Sequence, residues 1–248
     1  MTDRTETTPT VVLVHGAFAD ASSWNGVIER LQAKGIRVTA PANPLRGIAI
    51  DTAYIAAVIE QIDGPVVAVG HSYGGAVITN AATDAKNVVG LVYVAAFAPE
   101  ERETLGAVEA DSKDSILNTA LVPQQYPTAD GGSATEFSID PAKARDVFAG
   151  DLSDVQAALI GVTQRPVAES AFSEPNGPPA WRHLPSWAVV ANDDKAAGTD
   201  LVRSMAERAG AKITEIEGSH VIMVSQPEAV TNVILEAVAA VAAVPAGA

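Results

Sequence analysis

Short apolar runs recur along this chain, each followed by a helix-length segment, and that rhythm constrains the fold more than any other feature. The runs lie at residues 11–14, 36–40, 65–69, 88–96, 187–191 and 212–216. Most are dominated by valine, isoleucine and alanine without polar alternation, as strands buried on both faces are. Helical patterns fill the intervals. One runs from Ser22 or Ser23 to Lys34 and stops at Gly35; another spans 51–62, with Asp51 read as its cap. Others span 74–83, 199–209 with Asp200 as its cap, and 227–241. Strands alternating with helices in this way predict an α/β domain: a mostly parallel sheet of about six strands with helices on both faces, three layers in all.

The chain has 248 residues, 48% of them apolar, which suits one domain over 1–248 with a substantial core. Aromatics are only 5%, so small aliphatic side chains must fill that core. The rhythm breaks between about 100 and 185, where the sequence is more charged and proline-rich. Short helical patterns appear there at 142–148 and 153–160, and no clear strand. Roughly 85 residues with few bulky apolar positions make a poor independent core. The segment is therefore expected to be a helical lid inserted into the domain, over the carboxyl ends of the strands where open α/β sheets bind ligands.

A formal charge of −14 disfavours nucleic acid and anionic membranes as partners. There is no cysteine, which excludes disulfides, thiolate catalysis and cysteine-ligated metals. The four histidines lack ligand spacing, so neither metal nor cofactor is expected. Met1 to Pro9 is polar, without the apolar run of a signal peptide, and the alanine- and valine-rich stretch 234–244 is too short to span a membrane. A cytoplasmic protein, monomer or homodimer, is the expectation.

The chemistry concentrates at Gly70-His71-Ser72-Tyr73-Gly74-Gly75, which directly follows the run 66–69. This is a G-x-S-x-G pattern with a strand before it and a helix after it, the context the pattern requires. A sharp strand-to-helix turn presents Ser72 as a nucleophile, and side chains at positions 70 and 74 would collide with neighbouring elements. The helix that follows aims its N-terminus at the site and favours negative charge there. Acyl transfer also needs two backbone N–H groups aimed at the developing oxyanion. Tyr73, next after the nucleophile, supplies one. His15-Gly16-Ala17-Phe18, after the first strand, supplies the other, from Ala17 or, failing that, Phe18.

A general base must come from another loop at this end of the sheet. His71 belongs to the elbow, His15 to the oxyanion loop, where it braces the chain, and His183 to the inserted segment. His220 follows the last strand and comes last in chain order, which makes it the base. The acid that orients it lies in Asn192-Asp193-Asp194-Lys195. Asp193, three residues after Val190, is the expected member, with Asp194 as the alternative.

Together these residues resemble the α/β-hydrolase superfamily, and within it the small-esterase branch that contains plant methylesterases and hydroxynitrile lyases. The resemblance spans nearly the whole chain: V-L-V-H-G-A-F at 12–18, Trp24, G-H-S-Y-G-G, A-N-D-D, M-A-E-R-A-G-A at 205–211 and G-S-H at 218–220. It implies an α/β-hydrolase fold and cleavage of a small carboxylic ester through an acyl-enzyme. Hydroxynitrile lyases of that branch carry a hydroxyl-bearing residue where Gly16 stands and a lysine where Val221 stands, so this chain is similar to the esterase members. The resemblance leaves open lactonase, perhydrolase or lyase-like chemistry on the same triad, and a silent, hydrolase-like binding protein.

Overall fold

The computed structural model describes residues 8–242; residues 1–7 of the polar N-terminus and the end of the 234–244 stretch lie outside it. The chain opens with strand β1 (Thr10–Val14), helix α1 (Asn25–Ala33), β2 (Val38–Thr39), α2 (Ile48–Glu60), β3 (Val66–His71), α3 (Tyr73–Asp84) and β4 (Val88–Val94). An inserted segment follows: α4 (Leu105–Ala110), β5 (Leu121–Pro127), β6 (Ser133–Ile139), α5 (Ala144–Phe148), α6 (Asp154–Thr163), β7 (Val167–Ala168) and α7 (Ser170–Ser173). The rhythm then resumes with β8 (Ser186–Ala191), α8 (Thr199–Arg208), β9 (Lys212–Ile216), α9 (Ile222–Ser225) and α10 (Pro227–Ala242).

Six strands form one parallel sheet in the order β2-β1-β3-β4-β8-β9, as the alternation predicts. The order reverses after β2, because the chain steps outward from β1 to β2 and then back across to β3. Right-handed crossovers in opposite directions put α1 and α2 on opposite faces. Helix α1 accordingly packs with α10, and α2 packs with α3. The inner strands β1, β3 and β8 are buried at every position, which explains their unbroken apolar sequence. The run at 36–40 yields only the two-residue edge strand β2, half-buried and paired through Val38 and Thr39 alone.

Two caps differ from expectation. Helix α2 begins three residues before Asp51, with Gly47 at its N-cap. Asp51 reaches back instead, and both its oxygens accept the Arg46 N–H. Helix α8 is capped by Gly198, and Asp200 accepts hydrogen bonds from Ser112 Oγ and the Lys113 N–H, tying α8 to the inserted segment.

That segment contains the expected helices and also a three-stranded antiparallel sheet, β5-β6-β7, where no strand pattern is legible. Strand β5, Leu-Val-Pro-Gln-Gln-Tyr-Pro, is exposed along most of its length and holds two prolines. Pairing with β6 across the 128–132 turn makes it a strand, not an apolar face of its own. No helix among the described residues is long and apolar enough to cross a membrane.

Candidate active site

The carboxyl ends of β1, β3, β8 and β9 deliver the sequence-predicted residues to one place. Ser72 follows the central strand β3 with φ 53° and ψ −124°, a positive-φ conformation that L-residues rarely adopt. Its neighbours hold it there. The Ser72 carbonyl accepts the N–H groups of Gly75 (2.9 Å) and Phe97 (3.2 Å), and its own N–H donates to the Val94 carbonyl (3.3 Å). Close packing requires the flanking glycines: a Cβ at Gly70 would strike the start of α3, and one at Gly74 the Val14 carbonyl of β1. Gly16 lies closer still to Ser72. A Cβ there would sit 2.7 Å from Ser72 Cβ and 2.8 Å from the His71 carbonyl oxygen. Gly16→Ala should therefore cost about 1–3 kcal/mol of stability, as overpacking does. Thermal melting checks this, and an unchanged Tm would contradict the packing.

Tyr73 is the first residue of α3, so its N–H has no carbonyl one turn earlier to bond. Its side chain is anchored below the sheet end, where the phenol donates to Asp51 Oδ2 at 2.7 Å. Opposite, the loop from His15 to Phe18 is braced by a histidine. His15 Nδ1–H donates to the Gly16 carbonyl (2.9 Å), and Nε2 accepts the Asn43 N–H (3.0 Å). Burial pushes His15 down to about 4, so at neutral pH the ring is uncharged, as an acceptor at Nε2 must be. Ala17 and Phe18 both line the cavity that Ser72 and Tyr73 line, and Phe18 has φ 60°.

His220 stands on the loop after β9 and is buried. Its Nδ1–H donates to Asp194 Oδ2 at 2.8 Å, which leaves Nε2 as the free acceptor. The ring is clamped between Phe148 (centroids 4.9 Å apart) and His71 (4.7 Å). His71 Nε2–H donates to the His220 carbonyl at 3.0 Å. Burial, with His220 and His15 nearby, holds His71 well below its usual range. A neutral His71 adds no positive charge against a His220 imidazolium. His183 is exposed on the turn before β8 and takes no part.

The carboxylate that meets His220 is Asp194, and the expectation for Asp193 is corrected. Backbone pairing with the β9 side continues one residue further than the spacing from Val190 suggests: the Asp193 N–H donates to the Gly218 carbonyl at 3.0 Å. The chain turns inward only afterwards. Asp193 is left with its side chain 59% exposed, 3.4 Å from Lys195 Nζ. Asp194 is 1% exposed, and its Oδ1 accepts the N–H groups of Ala196 and Ala197, both at 3.0 Å. The legible signal was the Asp-Lys-Ala-Ala-Gly-Thr run, whose small residues can wrap an aspartate side chain.

Ser72, Tyr73, Ala17 and His220 share a small cavity of about 10 Å³. Phe97, Leu117 and Phe148 line it, while Leu105 is buried in the core. Sequence reasoning missed Glu109 and Phe172, which line it too. No group of three or more histidine, aspartate and glutamate side chains among the described residues could hold a metal ion. The arrangement provides a hydroxyl on a strained turn, an oriented imidazole, a buried carboxylate and backbone donors.

Residues 11–233 match the alpha/beta hydrolase family. Norfluorocurarine synthase 2 of a Strychnos species is 27% identical over 266 residues, covering 91% of this chain and 93% of that one. The carbendazim hydrolyzing esterase of a Nocardioides species is 31% identical over 166 residues, 61% of this chain and 62% of its own. Among solved structures, polyneuridine aldehyde esterase superposes with a TM-score of 0.78 at 22% identity, over 93% of this chain and 99% of that one. The geometry of the elbow and the extent of the family match lead to one conclusion: the chain belongs to the alpha/beta hydrolase family.

Proposed function

We propose that this protein is a serine hydrolase that cleaves a small carboxylic ester through an acyl-enzyme, with Ser72, His220 and Asp194 as its triad. The observation that carries this reading is the His220–Asp194 hydrogen bond of 2.8 Å at the cavity that Ser72 opens into. His220 Nε2 takes the Ser72 hydroxyl proton as Oγ bonds to the ester carbonyl carbon. The oxyanion that forms is held by the N–H groups of Ala17 and Tyr73. Each such donor is worth about 3 kcal/mol in the transition state. Collapse breaks the bond to the alcohol, which leaves with the proton from His220. Water then attacks the acyl-enzyme, giving its proton to His220, and the acid departs as Ser72 regains its hydrogen. Asp194 stays ionised throughout and stabilises the imidazolium.

The esterase names among the relatives support this reading. Gly16 and Val221 stand where cyanohydrin cleavage would want a hydroxyl and a lysine, which favours hydrolysis. The enzyme would act in the cytoplasm, as monomer or homodimer, on small-molecule esters, with the inserted segment 100–185 as its lid. A serine-directed phosphonate tests the nucleophile. One equivalent should add to Ser72, read by mass spectrometry of the peptide, and turnover of a short-chain aryl ester should stop in parallel. Labelling elsewhere, with turnover intact, would overturn the assignment.

A further inference from the structure

The cavity beside Ser72 is walled mainly by Phe97, Leu117, Phe148, Phe172 and small alanines, and one carboxyl interrupts that lining: Glu109. It sits on α4, one turn after the buried Leu105 and on the same face, and is only 5% exposed. Helix α4 packs against α7, which supplies Phe172. Glu109 and Phe172 also line a second, outer pocket of about 340 Å³, so the two side chains form the partition between the cavities. The outer pocket adds Phe137 and Glu169, and neither cavity is lined by lysine or arginine. The rings of Phe137 and Phe172 stand edge to face, 6.4 Å apart.

A carboxyl buried this deeply ordinarily has full hydrogen-bond or ionic partners. Among the described residues only Ser115 Oγ bonds it, donating to Oε1 at 3.2 Å; Oε2 has no protein partner and is not sealed from solvent. Ser115 has a single hydroxyl hydrogen, and the Ala196 carbonyl lies 2.6 Å from the same oxygen. The hydroxyl is shared between the Ala196 carbonyl and Glu109 Oε1, which leaves the carboxyl weakly partnered. Burial pushes Glu109 up to about 7; the Ser115 contact and His220 lower it and Asp194 raises it. The titratable groups facing it are therefore Asp194 after β8 and His220 after β9, already paired with each other, and Glu169 beside α7 across the outer pocket. A purely structural role would leave the carboxyl fully partnered. The carboxyl instead lines both cavities beside the Phe172 ring, and aromatic rings attract cations.

We propose that Glu109, with Phe172 and Phe137, forms a specificity-determining subsite for a cationic group, an ammonium carried on the arm of the ester that leads from Ser72 toward the outer pocket. This rests on the ester-hydrolase reading above. Above pH 7 the carboxylate pairs with the ammonium; below it the acid does not, and entry of the cation at lower pH releases the Glu109 proton to solvent.

The test uses two isosteric esters, 2-(trimethylammonio)ethyl acetate and the uncharged 3,3-dimethylbutyl acetate, with the wild-type protein and Glu109→Gln. The ratio of their kcat/KM values cancels Ser72, His220 and the folded fraction. In the wild type the cation-to-neutral ratio should rise roughly tenfold between pH 6 and 8.5, and in Glu109→Gln it should stay flat. A flat wild-type ratio, or a step that survives in Glu109→Gln, overturns the subsite. Should that variant not fold, tetramethylammonium inhibition of aryl-ester cleavage by the wild type serves instead. Its Ki should fall over the same pH range, and a constant Ki overturns the proposal. Cleavage of the neutral ester with a flat ratio sinks the subsite alone. Failure to cleave any ester sinks the hydrolase reading beneath it.

Discussion

Ser72→Ala should lower kcat/KM on a short-chain aryl ester by about 10⁴- to 10⁶-fold, with little change in Tm. The substitution removes one oxygen and leaves the elbow intact. The hydrogen bonds that hold this turn are backbone bonds to Val94, Gly75 and Phe97, and none uses the hydroxyl. The flanking glycines still allow the close approach of β1 and α3. The cavity walls also stay, so substrate binding should change little and the loss should fall on kcat. What survives is the residual catalysis of backbone donors and proximity. Steady-state kinetics with a thermal melt on the same sample decides it. Activity within tenfold of wild type would remove Ser72 from the chemistry.

Adjacent carboxylates give the second large contrast. Asp194→Asn should cost about 10⁴-fold in kcat, while Asp193→Asn should stay within about threefold. The reason lies in how Asp194 is held. Its Oδ1 accepts two backbone N–H groups, from Ala196 and Ala197, and an asparagine must keep its carbonyl oxygen there. The amide NH₂ then faces His220 and donates to Nδ1, forcing the proton onto Nε2. That tautomer cannot accept the Ser72 proton. Asp193 has only an exposed contact with Lys195, of a kind worth little in water. Parallel kinetics on the two variants are the check. Equal losses, or a larger one at 193, would reverse the assignment.

That pair shows where sequence reasoning reaches its limit. Ser72 and His220 were legible as candidates because the proposed chemistry needs a local context, a strand-turn-helix and a loop after the last strand, and both contexts are written in consecutive residues. Asp193 against Asp194 was not, because the choice depends on how far β8 continues its pairing toward Gly218, a contact between segments some 25 residues apart along the chain. The caps at Asp51 and Asp200 failed for the same reason. Both side chains found partners across a loop or on the inserted segment, and glycines occupied the caps. Strand β5 escaped notice because its apolar content is low and only its partner β6 makes it a strand.

The six-stranded parallel sheet and the strand-to-helix turn at Ser72 follow from the sequence alone, since buried strands and tight elbows leave few residue types free at each position. Tertiary structure alone decided which aspartate orients His220, that His71 braces its loop, and that Glu109 stands in the wall of the cavity beside Ser72. Those outcomes depend on where distant segments meet, on burial and on which hydrogen-bond partners remain free, and none of these is a property of a residue and its neighbours in sequence.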